Sequence, residues 1–238
     1  AVIKDYIIGL TNKNQIKIFE ELNIKDLKYY FNCKSNSKIL IIFDDCSYIV
    51  TDINNLNFKK EIKFINVFDE NKYLFMILEN QSTLIKKIPV EKLKKSGTLI
   101  EGNLIQCIYV NNTEDEIVNI LSENNKVKRF KVTSFKETNI GGKGIELGCS
   151  VNDFDISTTE KYLYLIGDEE ACKLNIDDFL IKSRIANPIS ATKGIMNKIY
   201  ACDILKDIQG KEIKIELKNK NVKAQKIIVK TIFKDNKF

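Results

Sequence analysis

Residues Glu116–Val132 read EIVNILSENNKVKRFKV: an apolar strand, a short polar turn and a second strand. The same order recurs at Tyr6–Phe19 (YIIGLTNKNQIKIF), Ile39–Ile53 (ILIIFDDCSYIVTDI), Tyr73–Val90 (YLFMILENQSTLIKKIPV), Lys161–Ile176 (KYLYLIGDEEACKLNI) and Lys211–Val229 (KEIKIELKNKNVKAQKIIV). A hairpin repeated every ~33–50 residues marks a radial array with one sheet per repeat. The turns Asn12-Lys13-Asn14, Asp44-Asp45, Glu79-Asn80-Gln81 and Glu123-Asn124-Asn125 suit this, because Asn and Asp tolerate positive φ. A short crossover follows several hairpins (Val90–Leu93, Val132–Lys136, Ile176–Ile181), and then a further strand (Leu104–Val110, Val151–Ser157, Tyr200–Leu205). The expected fold is all-β, a six-bladed, propeller-like array with about four strands per blade.

Small sheets bury enough surface only by packing face to face, so residues 1–238 are expected to form one continuous array. The chain begins at Ala1, with neither an initiator Met nor a signal-peptide core, which suggests a fragment cut from a larger protein. No apolar run approaches the roughly 18 residues a membrane span needs. Six scattered cysteines without a CxxC pair are expected to be buried, reduced thiols of a cytosolic protein. The chain has no histidine, which removes imidazole-based catalysis and, with unclustered cysteines, a zinc site. The paired carboxylates Asp44/Asp45 and Asp177/Asp178 are the remaining catalytic candidates; such pairs are usually solvated at turns, and no catalytic residue, metal or cofactor is expected.

Charge is unevenly placed. Residues 193–238 hold 12 basic and 5 acidic side chains, whereas residues 150–192 hold 4 and 8, so a positive end adjoins a negative blade. Only Arg129 and Arg184 are arginines. Lysines act as point charges on phosphates and give affinity without base choice. A glycine-rich stretch, Asn139–Leu147 (NIGGKGIEL), and weaker echoes at Lys95–Ile100 (KSGTLI) and Thr192–Ile195 (TKGI) each follow a hairpin and its crossover. Equivalent spacing makes these blade-joining elements first, with any phosphate contact added to that role.

These elements resemble the C-terminal domain of the DNA gyrase A subunit and of its relative, the topoisomerase IV A subunit. Tyr73–Leu93 with Lys95-Ser96-Gly97 looks like one blade and its loop. Glu116–Phe135 with Gly141-Gly142-Lys143-Gly144-Ile145, and Tyr162–Phe179 with Thr192-Lys193-Gly194-Ile195, look like two more. The resemblance implies a six-bladed β-pinwheel that binds double-stranded DNA on a lysine-bearing outer rim and bends it toward a catalytic core. That core, in the parent A subunit, would work with an ATPase B subunit in the cytoplasm, at the nucleoid. It implies DNA contacts by Lys86, Lys87, Lys126, Lys128, Arg129, Lys131, Lys143 and Lys193, and blade-loop roles for Gly97, Gly141, Gly142, Gly144 and Gly194. Typical gyrase carries a basic glycine-rich box after its first blade. Here Glu21–Lys34 (ELNIKDLKYYFNCK) has no glycine and no arginine, which fits a topoisomerase IV-like or divergent gyrase subunit better. A competing expectation is a protein-interaction platform without DNA binding, favoured by Asp168-Glu169-Glu170 and Asp177-Asp178.

Overall fold

The computed structural model of the chain describes residues 1–227 and 231–238. Its strands are β1 (Asp5–Thr11), β2 (Ile16–Phe19), β3 (Leu27–Lys34), β4 (Lys38–Phe43), β5 (Ser47–Asp52), β6 (Ile62–Val67) and β7 (Tyr73–Asn80). Then come β8 (Ser82–Pro89), β9 (Ser96–Thr98), β10 (Asn103–Val110), β11 (Ile117–Ser122), β12 (Lys126–Lys131), β13 (Ile145–Glu146) and β14 (Asp153–Ser157). The last are β15 (Tyr162–Ile166), β16 (Glu170–Asn175), β17 (Ile189–Ser190), β18 (Lys198–Cys202), β19 (Lys206–Asp207), β20 (Gln225–Lys226) and β21 (Ile232–Phe233). Single 3₁₀ turns at Val90–Lys92, Val132–Ser134 and Ile176–Asp178 form the crossovers. Positive φ occurs at Asn14, Cys46, Gln81, Asn124 and Asn125, in or beside the hairpin turns the sequence places there.

Each full blade has its hairpin in the middle. The orders are β6-β4-β5-β9, β10-β7-β8-β13, β14-β11-β12-β17 and β18-β15-β16-β20, all antiparallel. The fourth strand is borrowed: β9 follows the hairpin of the third blade yet pairs with β5 of the second, at Tyr48↔Gly97. β13 and β17 do the same one and two blades on, at Ile145↔Ile85 and Val127↔Ile189. Strands β6, β10, β14 and β18 pack against one another around the axis, so the borrowed strands form the outer edge.

Cores lie between blades. In β7, Leu74, Met76 and Leu78 pack toward the second blade, while Phe75 and Ile77 pack toward the fourth. In β4, Ile39, Ile41 and Phe43 face the first blade, and Leu40 and Ile42 face the third. Successive strand residues point to opposite faces, so a central strand buried on both sides favours apolar residues at both parities. That preference explains the unbroken runs ILIIF and YLFMIL.

The array has five blades, not the expected six, and the first (β2-β1-β3) has three strands. Over Lys211–Val229 no sixth hairpin forms among the described residues; Ile228 and Val229 lie outside them. The stretch supplies only β20, the borrowed strand of the fifth blade, and isolated bridges such as Lys173↔Leu217. Its segment KEIKIELK alternates apolar with charged residues and can bury one face alone. Ile213 and Ile215 pack on the fifth blade, whereas Leu217 is exposed.

Segment Thr231–Phe238 closes the ring instead. β21 pairs with β19, and Phe233 stacks on Tyr30 of β3 at 4.5 Å and 11°. Lys234 Nζ donates to Asp155 Oδ2 (2.6 Å) and to the Ala201 carbonyl (2.6 Å), joining the inner strands of the fourth and fifth blades. Lys237 Nζ donates to Asp153 Oδ2 (2.5 Å) and to the Ile199 carbonyl, and both side chains of this ion pair are buried. Lys237→Met should lower stability by about 3 kcal/mol in urea unfolding, because it strands a buried carboxylate. Adding Asp153→Asn should recover part of that loss.

Candidate nucleic-acid interface

Hairpin strands covered on both faces leave little side chain for a partner. The outer surface belongs to the borrowed strands and the turns beside them. Four of the eight expected basic contacts, Lys86, Lys87, Lys128 and Arg129, lie in hairpin strands β8 and β12, and all four are buried. Lys86 Nζ donates to the carbonyls of Leu99 (2.9 Å), Asn139 (2.8 Å) and Gly142 (2.7 Å), tying together the two loops that precede β10 and β13. Burial pulls its ammonium down to about 8. These four side chains belong to the framework and not to the outer surface.

Lys87 and Arg129 occupy equivalent positions and do equivalent work. Lys87 Nζ donates to Asn112 Oδ1 (2.7 Å) and reaches the Val132 carbonyl (3.4 Å), in the 3₁₀ turn of the next blade. Arg129 Nη1 donates to Ile176 (3.1 Å) and Phe179 (2.8 Å) carbonyls in the 3₁₀ turn of the blade after that, while its Nε donates to Asn119 Oδ1 (2.8 Å). Burial lowers the pKa of both, and Asp177 opposes this at Arg129. Lys173 stands at the same position of the fifth blade, where no sixth hairpin follows. Its Nζ instead lies 4.1 Å from the Tyr162 ring of its own sheet. Burial, with Arg184 nearby, lowers the Lys128 pKa against the pull of Cys149.

The other four expected contacts reach the surface to different degrees. Lys143 and Lys193 are exposed, Lys126 is half-buried, and Lys131 is exposed but 3.2 Å from Glu114. Lys143 lies 3.7 Å from Glu146, an exposed pair worth little in energy. Lys193 bridges to Lys223 in parallel, with Ala224 N donating to the Lys193 carbonyl (3.1 Å). Two exposed lysines therefore stand side by side where the fourth and fifth blades join, and neither makes an ion pair among the described residues. Lys94 and Lys95 beside β9, and Lys223 and Lys226 at β20, were not among the expected contacts, and all four are exposed. The signal that finds them is position: they flank the joining elements, whereas Lys86-Lys87 sits between Ile85 and Ile88 in an apolar strand.

The five glycines lie in these joining elements. Gly97 is in β9, Gly141, Gly142 and Gly144 lead into β13, and Gly194 follows β17 with φ +132°. A Cβ on Gly144 would stand 2.8 Å from the Ile85 carbonyl, so only glycine lets this borrowed strand approach its host. The acidic residues are also engaged locally: Asp168 Oδ1 accepts from Asn197 Nδ2 (3.1 Å), and Lys60 holds the Asp45 carboxyl down to about 2. Among the described residues no helix is long and apolar enough to cross a membrane, and no cluster of metal-ligating side chains occurs.

Five antiparallel sheets around an axis, four of them finished by a strand from further along the chain, can be set against solved structures. The C-terminal domain of DNA topoisomerase IV superposes with a TM-score of 0.74 at 10% identity, over 94% of this chain and 89% of that one. The DNA gyrase A C-terminal domain gives 0.68 at 14% identity, over 98% and 97%. The chain has the fold of these topoisomerase C-terminal domains. The E. coli ParC C-terminal domain is similar over a shorter span, with a TM-score of 0.54 at 12% identity, over 74% of this chain and 88% of that one. No family model and no curated protein sequence matches the chain.

Lys86→Met should destabilise the fold by about 2 kcal/mol, because it removes the three charged hydrogen bonds that tie the Leu99, Asn139 and Gly142 carbonyls together. The folded-state pKa of Lys86 is depressed, so between about 8 and the ordinary lysine value of 10.5 the unfolded chain holds the extra proton. Wild-type stability should therefore rise relative to Lys86→Met as pH climbs through that window, measured by urea unfolding of both proteins.

Proposed function

We propose that residues 1–238 form one double-stranded-DNA-binding and DNA-bending domain of a larger type IIA topoisomerase A subunit, of topoisomerase IV or divergent gyrase kind. The observation that carries this reading is the coincidence of the fold with a repeated charge. Each borrowed strand of the second to fifth blades brings lysine to the outer edge: Lys94 and Lys95 at β9, Lys143 at β13, Lys193 at β17, and Lys223 and Lys226 at β20. Lys126 adds to the β17 edge through its pairing with Ser190. Lysines spread along a curved edge hold phosphates without reading bases, and curvature converts that hold into a bend. Bending costs on the order of 1–6 kcal/mol, which contacts distributed over several blades can offset. Strand passage, the nucleophile, magnesium and ATP hydrolysis would be supplied by the core and the ATPase subunit, in the cytoplasm at the nucleoid.

A second reading, a protein-docking platform, draws on the exposed apolar residues Leu180, Ile181 and Ile185 between β16 and β17. The two separate in a fluorescence-anisotropy titration on a mixed-sequence duplex of about 40 base pairs. DNA binding requires micromolar or tighter affinity at low salt and a log–log salt slope of about −4 or steeper. Lys193→Glu with Lys223→Glu should flatten that slope by about 2. No binding at 50 mM salt would refute the DNA reading.

A further inference from the structure

The inner strands of three different blades bring lysines to one end of the ring axis. Lys28 is the second residue of β3, Lys63 the second of β6 and Lys198 the first of β18. They line a cavity of about 360 Å³, walled on its remaining sides by Gln106, Tyr200 and the closing segment. Lys237 also borders it but is held by Asp153. Glu61 is the one carboxylate side chain among the described lining residues, and it lies 3.7 Å from Lys63. Neither Lys28 nor Lys198 makes an ion pair among the described residues. Lys28 instead lies 5.1 Å from the Phe238 ring, which holds its ammonium at the cavity edge.

Three cations sharing one carboxylate across a partly enclosed space repel one another. Burial lowers the Lys28 pKa first, Glu61 opposes that, and the positive charges of Lys63 and Lys198 lower it further. A ligand with several negative oxygens would satisfy all three at once. We propose that this axial cavity binds a small phosphate-bearing anion, an inorganic oligophosphate or the phosphate chain of a free nucleotide. The site is separate from the rim lysines and does not depend on the DNA reading: Lys28, Lys63 and Lys198 lie on inner strands, at the opposite sheet edge from β9, β13, β17 and β20.

The test is isothermal titration calorimetry of the whole chain with inorganic tripolyphosphate, and in parallel with a nucleoside triphosphate. Saturable binding of one tripolyphosphate per chain is expected, weakened roughly tenfold or more in Lys28→Met with Lys63→Met. Glu61→Gln removes the competing carboxylate and should tighten binding several-fold, a gain that damage to the fold cannot mimic. Lys193→Glu with Lys223→Glu should leave tripolyphosphate binding unchanged. Tighter binding of the nucleotide would identify a base-bearing ligand, and equal or weaker binding a free oligophosphate. Absence of saturable binding of both probes, or binding indifferent to both the lysine and the Glu61 substitutions, would overturn the proposal. So would a loss of duplex affinity in Lys28→Met with Lys63→Met while tripolyphosphate binding stays unchanged, since the lysines would then be serving DNA.

Discussion

No full blade of this molecule can be completed by its own repeat. In the second to fourth blades the hydrogen-bonding edge of the second hairpin strand is closed by a strand that follows the next hairpin, as β9 closes β5 and β13 closes β8, and in the fifth β20 closes β16. An open edge leaves backbone donors and acceptors unpaired and invites pairing with other chains. Borrowing satisfies that edge and fixes the spacing between neighbouring blades in one step. The joining loops then have to pass close to their hosts, which is why glycine occurs at Gly144 against the Ile85 carbonyl.

Buried cations reinforce the same joints. Lys86 gathers carbonyls from two loops, and Lys87 and Arg129 each reach into the 3₁₀ turn of the following blade. A charged donor in a low-dielectric setting is costly unless its hydrogen bonds are met, so these contacts hold the blades in one relative position or not at all. The repeated basic position therefore has a structural explanation, and an excess of lysine in a repeat is not by itself a measure of its outer charge.

Much of the architecture was legible in the sequence. Five of the six hairpins form where the runs were quoted, with their turns and crossovers, because repeats of one supersecondary unit carry a strong periodic signal. The missing sixth was legible too, in a finer feature. As first strands of their hairpins, ILIIF and YLFMIL are apolar at both parities and suit cover on both faces, whereas KEIKIELK is apolar at one. The site was harder to see. Lys86 and Lys128 differ from Lys143 and Lys193 in strand placement alone, and strand borrowing, which decides that placement, is a pairing between segments about 50 residues apart, such as Tyr48 and Gly97. Ring closure through Phe233, Lys234 and Lys237 left no trace in the repeat pattern, since those residues pair with Tyr30, Asp155 and Asp153 rather than with a copy of themselves.

Strand borrowing also sets an order of assembly during synthesis. As the chain leaves the ribosome, the second blade cannot acquire its outer strand until the hairpin of the third has emerged, and so on along the array. Maturation lags one repeat behind translation, and each nascent sheet waits with an exposed edge. The fifth blade waits for Gln225–Lys226, and the ring closes only when Thr231–Phe238 arrives. A chain cut short before Gln225 would thus remain an open, edge-bearing spiral, a species suited to recognition by chaperones and proteases.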